Sequence, residues 1–311
     1  MSVGAGPQMS NFPNGFSQGA LVRGVPINPI TPGKVFWVYN GTALSPQGRA
    51  GSDSNDGTFN SPFATIQHAV SMCVANRGDV IYVKPGHAET IAAAGGLNLN
   101  VSGVSVIGLG IGNDRPTISY STSTAASITV TAAQCLLDNF YIDATGIDAL
   151  ANAISVSAAD FYLVNSTMRT ATATGQATLG LISTAAADRL TIDTCHFFGS
   201  TDAGTTAALQ IVGGNQVKIV NNIFYGAYSS GVGAINNITT AMVNAVIVGN
   251  NINNLTALST KAMVFVAGST GMISGNNMQI LSGTAPITGA AMSWVGGNYY
   301  AATIATAGTL I

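Results

Sequence analysis

From residue 105 onward a short apolar run, closed by a small or polar pair, returns at a nearly constant interval. Its members are SVIGLG (105–110), LLDNFYI (136–142), YLVNSTM (162–168), LTIDTCHF (190–197), KIVNNIFY (218–225), VIVGNNI (246–252) and MISGNNM (272–278). The pairs begin at Gly108, Asp138, Asn165, Asp193, Asn221, Gly249 and Gly275, at intervals of 30, 27, 28, 28, 28 and 26 residues. A second apolar series, Ile154, Ile182, Ile211, Ile238, Val266 and Trp294, keeps the same period. Self-similarity at such a period means a solenoid of stacked units. Leucine-rich and ankyrin repeats need Leu ladders or helices, and neither is present. Two or three short β runs per unit therefore predict a parallel β-helix of about eight coils. Stacked at about 4.8 Å each, these make a rod on the order of 40 Å long. Asn222, Asn250 and Asn276 fall in register and predict a ladder of stacked Asn side chains at one turn.

The rest of the chain divides around this repeat. Residues 1–34 hold Pro7, Pro13, Pro26, Pro29 and Pro32 without periodicity, which predicts an extended arm docking a partner. Residues 35–78 predict a strand at KVFWVYN, a loop, and a capping helix over 62–75, with Ser61 as N-cap and Pro62 at its first position. Phe63, Ile66, Ala69, Val70 and Cys73 share one face of that helix. Residues 79–311 predict the β-helix with a C-terminal cap, to which GGNYYAATIATAGTLI contributes. A solenoid must cover the strand edges at both ends, and the helix is placed to cover the first.

Composition narrows function. Charged residues make up 7% of the chain, against about 25% in ordinary globular domains. No Lys/Arg cluster offers a nucleic-acid surface, and no apolar run reaches the about 18 residues of a membrane span. Cys73, Cys135 and Cys195 are few, distant and odd in number, which predicts buried free thiols.

The acids are twelve, with Glu89 the one glutamate. Glycoside cleavage needs a pair of carboxylates at fixed separation. Asp138 and Asp193 share a coil position two coils apart, and Asp160 and Asp188 precede strands; all four read as turn formers. His68 lies in the helix, His87 and Glu89 share one face of an extended segment, and Cys195 and His196 point to opposite faces. No catalytic residue and no cofactor is expected. Asp53, Asn55 and Asp56, followed by Gly57, superficially match a calcium loop. The bidentate Glu that such loops carry is missing, so a turn knitted by Asx side chains is the expectation and bound Ca²⁺ the minor alternative.

GSDSNDGTFNSPFATIQHAV together with GDVIYVKPGHAETI resembles the N-terminal cap of right-handed parallel β-helix proteins of the pectin-lyase-like superfold. There an Asp-rich turn with Gly precedes PF-TI--A, and GD-I-V-PG opens the first coil. With the Pro-rich arm, GKVFWV and PGHAETI, the chain is similar to β-helix proteins encoded among phage structural genes, which include tailspikes and head-decoration proteins that are typically homotrimers. The resemblance implies a virion protein made in the host cytoplasm. The expectation is a non-enzymatic capsid decoration protein, a homotrimer held to the capsid or another virion protein through residues 1–34. The alternative is a tailspike or adhesin that binds or cleaves host polysaccharide, for which Tyr225, Tyr228, Phe197 and Phe198 are the aromatic candidates.

Overall fold

The computed structural model describes residues 20–22, 25–27, 33–41, 49–200, 204–257, 259–282, 285–289, 292–294, 297–301 and 309–310. Strands recur in threes, and each pairs in parallel with its counterpart one unit away. Three sheets of 10, 10 and 8 strands result. The first runs from Val35–Val38 and Val80–Val83 to Gly271–Ser274 and Met292–Trp294; the second from Ala88–Ile91 to Tyr299–Ala301, with Thr309–Leu310 paired back antiparallel; the third from Leu97–Leu99 to Ile287–Thr288. Eight complete turns follow, as the period requires. The molecule is a parallel β-helix, right-handed in the sense that βXβ crossovers take.

Each sheet sends one column of side chains inward. In the first it is Ile81, Val106, Leu137, Leu163, Ile192, Ile219, Ile247 and Ile273, paired in register and at most 1% exposed. In the second, Ile118, Ile142, Met168, Phe197, Phe224, Ile252 and Met278 do the same; Phe197 and Phe224 stack with ring centroids 5.0 Å apart. The third contributes Leu97, Ile128, Ile154, Leu181, Leu209, Ile235, Met263 and Ile287. This corrects the second apolar series. Ile182 pairs with Ser155, not Ile154, and Trp294 belongs to the first sheet beside Ile273. Turns of unequal length break the series where a fixed period hides them.

Between the first and second sheets the chain turns on one left-handed residue: Asn139, Asn165, Thr194, Asn221, Gly249, Gly275 and Gly297, with φ between 49° and 96°. The following residue points inward. From Asn222 on it is always Asn. The Asn250 oxygen accepts from the Asn222 backbone and side-chain N–H, both at 3.0 Å. Its own amide donates to Ile219 O at 2.8 Å and to the Asn276 oxygen at 2.9 Å. Asn298 extends the ladder by one rung beyond the three expected. Asp138 and Asp193 lie one residue before the left-handed position, which Asn139 and Thr194 take.

The helix spans Ile66–Ser71 with Thr65 as N-cap, shorter than expected and starting four residues later. Phe63 is instead extended, bridged to Val38, with its N–H donating to Trp37 O. The apolar set holds regardless: Phe63, Ile66, Ala69, Val70 and Cys73 are all buried. At the first end of the rod Asn40 caps Ala88 through its amide, and the Gln67 oxygen accepts from Asn98 N at 2.6 Å. Within residues 1–34, Ala20–Val22 pairs antiparallel with Val25–Ile27; the other arm residues through 32 lie outside the described ones.

Candidate functional site

The two outward positions of each strand in the second sheet, read up the rod, give Thr117 and Ser119, Tyr141 and Asp143, Thr167 and Arg169, His196 and Phe198, Ile223 and Tyr225, Asn251 and Asn253, Asn277 and Gln279. Strand alternation puts all of them on one face, with successive coils about 4.8 Å apart. The sequence places aromatic, cationic and amide groups on this one face.

The centre of this face spans three coils. Arg115, at the end of the turn before Thr117, reaches across to Thr167, its guanidinium donating to Oγ1 at 3.0 Å. Arg169 lies 3.9 Å from the Asp143 carboxylate. Tyr141 and Phe198 have ring centroids 6.4 Å apart, and His196 and Phe198 5.3 Å. Desolvation, then the Arg115 charge, presses the His196 imidazole below its ordinary pKa. Desolvation, then Asp143, pushes the Tyr141 phenol up. Two guanidiniums against one carboxylate leave a local surplus of positive charge beside aromatic rings. Further along, a shallow depression of about 220 Å³ is lined by Asn251, Asn253, Asn277, Gln279 and Tyr299 among others. Aromatic faces with hydroxyl, amide and guanidinium donors suit a polyhydroxylated ligand, whose C–H faces stack and whose hydroxyls bond.

Of the four aromatics expected to be exposed, Tyr225 and Phe198 are on this face and in register with each other. Phe197 and Tyr228 are wholly buried, which corrects that reading: Phe197 faces the opposite way from its strand neighbour Phe198, and Tyr228 lies beyond the end of Ile223–Gly226, bridged to Thr205. Arg115, Tyr141, Asp143, Thr167 and Arg169 were not singled out from sequence. The signal was present as the alternating triplets YID, TMR and HFF that follow each inward turn residue.

The other candidates are held apart. One Asp53 carboxylate oxygen accepts from Ala64 N at 2.9 Å and Thr65 N at 3.0 Å, and the other from Thr65 Oγ1 at 3.0 Å. Asn55 donates to Ala50 O and Pro62 O, and Asp56 accepts from the Thr58 hydroxyl at 3.0 Å. Gly57 has φ +72°, and a Cβ there would lie 2.3 Å from the Phe63 ring. The three side chains thus serve three separate junctions of the cap. Glu89 accepts from Ile66 N at 3.0 Å and lies 3.1 Å from His87 Nε2, while His87 Nδ1 accepts from Asn40 N at 3.1 Å. His68 packs edge-on against Phe63. Asp138 accepts from Asn165, Asp193 from Thr194, and Asp188 from Asn215 N. Asp160 takes both arms of the Arg189 guanidinium, at 2.6 and 2.7 Å. Asp202 lies outside the described residues. Burial pushes the Cys73 and Cys195 thiols up to about 12 and raises Cys135 as well; all three are free and buried. Among the described residues no three His, Cys, Asp or Glu side chains gather as a metal site, and no helix is long and apolar enough to cross a membrane.

Neither the protein-family models nor the curated proteins yield a match. A solved rhamnogalacturonan lyase is similar over 80% of this chain and 76% of its own, with a TM-score of 0.43 and 16% identity. A likeness that remote carries no argument about chemistry, and the fold assignment stands on the strand register itself.

Proposed function

We propose that the protein is a non-enzymatic structural component of a bacteriophage particle, a capsid decoration protein acting as a homotrimer and docked through residues 1–34. The observation that carries this reading is the employment of the coil acids. Asp138, Asp143, Asp160, Asp188 and Asp193 each spend carboxylate oxygens on a turn, a rung or an arginine, which is the work of scaffolding. The Pro-rich arm, together with the similarity of GKVFWV and PGHAETI to β-helix proteins encoded among phage structural genes, supports the particle context. Removing residues 1–34 is expected to abolish particle binding while leaving the β-sheet circular dichroism spectrum intact. A truncated chain that still decorates particles would overturn the docking role.

A second reading, a tailspike-type adhesin for host polysaccharide, is favoured by one observation: the outward face of the second sheet with Tyr141, Arg169, His196, Phe198 and Tyr225. Incubation with host surface polysaccharide followed by size analysis separates the two. Retention of intact glycan, lost in Phe198→Ala/Tyr225→Ala, supports adhesion; shortened glycan supports cleavage and sinks the non-enzymatic reading.

A further inference from the structure

Arg77 and Arg189 show how a guanidinium is satisfied in this molecule. Each clasps one aspartate, Asp79 or Asp160, through two bonds of 2.6 and 2.7 Å. Arg115 and Arg169, on the outward face of the second sheet, are not held in this way. Arg115 is half-buried, and its guanidinium donates to neutral oxygens, Gly112 O at 3.3 Å and Thr167 Oγ1 at 3.0 Å. No carboxylate of a described residue lies within ion-pair distance of it. Arg169 lies 3.9 Å from Asp143, beyond a hydrogen bond, and one oxygen of that carboxylate already accepts from the Thr145 hydroxyl and N–H. In register, Thr167 stands between Tyr141 and His196. The charges of both arginines bear on the Tyr141 phenol, and that of Arg115 on His196 as well. Two open guanidinium forks, a phenol and an imidazole therefore converge around Thr167. A cation partly withdrawn from water and met only by neutral oxygens lacks an anion, and the planar fork is shaped for the two oxygens of a carboxylate.

The neighbours of this cluster name the rest of the ligand. Phe198 follows Arg169 in the same outward column, and Tyr225 follows Phe198. Aromatic faces thus stand beside the forks, as the C–H face of a sugar ring requires. Beyond them the cations stop. Asn251, Asn253, Asn277 and Gln279 present uncharged amides, beginning three coil steps, roughly 14 Å, from Thr167. The face is two outward residues wide and many coils long, so a chain of sugars meets several of these groups only by lying along the rod. The other two faces offer no such series. Outward positions of the first sheet are mostly aliphatic, and those of the third are mostly small and polar, with Asn98, Thr129, Ser155 and Gln210 among them.

We infer that this face binds an acidic heteropolysaccharide lying along the rod, with one sugar carboxylate on Arg115 and Arg169 and neutral sugars over the aromatic and amide rungs. The inference deepens the adhesin reading above and rests on it. Two guanidiniums less the Asp143 charge leave one positive charge, which a single carboxylate matches. A polymer with an acid on every sugar would lay further carboxylates over Asn251 and Asn253, where no cation on this face meets them.

Affinity electrophoresis of the full chain, through gels that each hold one polysaccharide, tests this. Hyaluronan carries a carboxylate on alternate sugars, alginate on every sugar, and carboxyl-reduced hyaluronan on none. Hyaluronan is expected to retard the protein, with binding at least about tenfold tighter than that of its reduced form, the scale of a lost charge-assisted hydrogen bond. Alginate should bind more weakly than hyaluronan. Arg115→Gln and Arg169→Gln should each weaken hyaluronan binding about tenfold and leave binding of the reduced polymer unchanged, whereas Phe198→Ala should weaken both. The β spectrum should be the same in all three variants. Equal binding of hyaluronan and its reduced form, lost in Phe198→Ala, overturns the acid site and leaves the adhesin face standing. Alginate bound as tightly as hyaluronan overturns the alternation of acidic and neutral sugars. Dextran sulfate bound as tightly as hyaluronan, and as sensitive to the arginine variants, reduces the site to a general polyanion surface and overturns the sugar carboxylate. Binding to none of these polymers overturns the inference, while adhesion itself is judged by the host polysaccharide.

Discussion

Asn250 is wholly buried with four side-chain hydrogen bonds, two accepted and two donated. Truncation to Ala leaves the Asn222 backbone N–H and one of its amide hydrogens without partners in a dry interior, and takes one bond from the Ile219 carbonyl. Such orphans cost about 1–3 kcal/mol each, so Asn250→Ala should lower stability by about 2–4 kcal/mol in urea titration. The exposed neighbour Asn251→Ala should stay within about 0.5 kcal/mol. Equal effects at both positions would show that the rungs add nothing. Asp79 makes a pH-dependent contribution of the same local kind. Burial pushes its carboxyl up, but the Arg77 guanidinium and the N–H groups of Val74 and Lys34 outweigh this and hold it below the ordinary value of 3.8. A depressed carboxylate stabilises the fold fully above its unfolded pKa and loses that contribution as pH falls through the folded one. The urea midpoint should therefore be flat from neutrality to about pH 4 with respect to this group. It should decline below that, and Asp79→Asn should be less stable at neutrality with a shallower acid decline.

The capping helix is six residues long, too short to stand alone, and it persists because its free N–H groups are taken from outside. Asp53 takes those of Ala64 and Thr65, Glu89 that of Ile66, and the Thr65 hydroxyl that of His68. Asp53→Ala should cost about 1–2 kcal/mol, the scale of a lost N-cap, and speed hydrogen exchange in residues 33–75 ahead of the coils. With both Asp53 oxygens so engaged, millimolar Ca²⁺ should leave the Tm unchanged; a rise that Asp53→Asn removes would make this loop an ion site. Much of this element was legible from residues alone. The apolar positions and the tight Asx turn follow from spacing and side-chain chemistry. The helix start did not, because Ser61 and Pro62 carry strong local start signals while Glu89, 23 residues on from Ile66, carries the long-range one. The outward patch was half legible: the triplets YID, TMR and HFF alternate, but Tyr141, Thr167 and His196 become neighbours only through register, and register depends on turn lengths that a mean period averages away.

The whole molecule is a stack in which each coil bonds to the one below and the one above, so its three faces keep independent chemistries over one shared interior. An apolar face, an aromatic and amide face and a small polar face can each change without disturbing the others. That independence explains why the period announced the architecture so plainly and the function so faintly. The inward columns must repeat, whereas the outward ones are free to vary.

The stacking has a mechanical consequence as well. All three ladders run their hydrogen bonds along the rod, so a pull on the two ends loads one coil boundary at a time instead of the whole body. Each rupture frees one coil of about 28 residues, roughly 95 Å of contour at about 3.4 Å per residue. Drawn between a surface and a cantilever, the chain should lengthen in a sawtooth of nearly equal teeth. Asn250→Ala should lower the force of the tooth to which its rung belongs, making the rod a graduated tether whose weakest link can be placed at will.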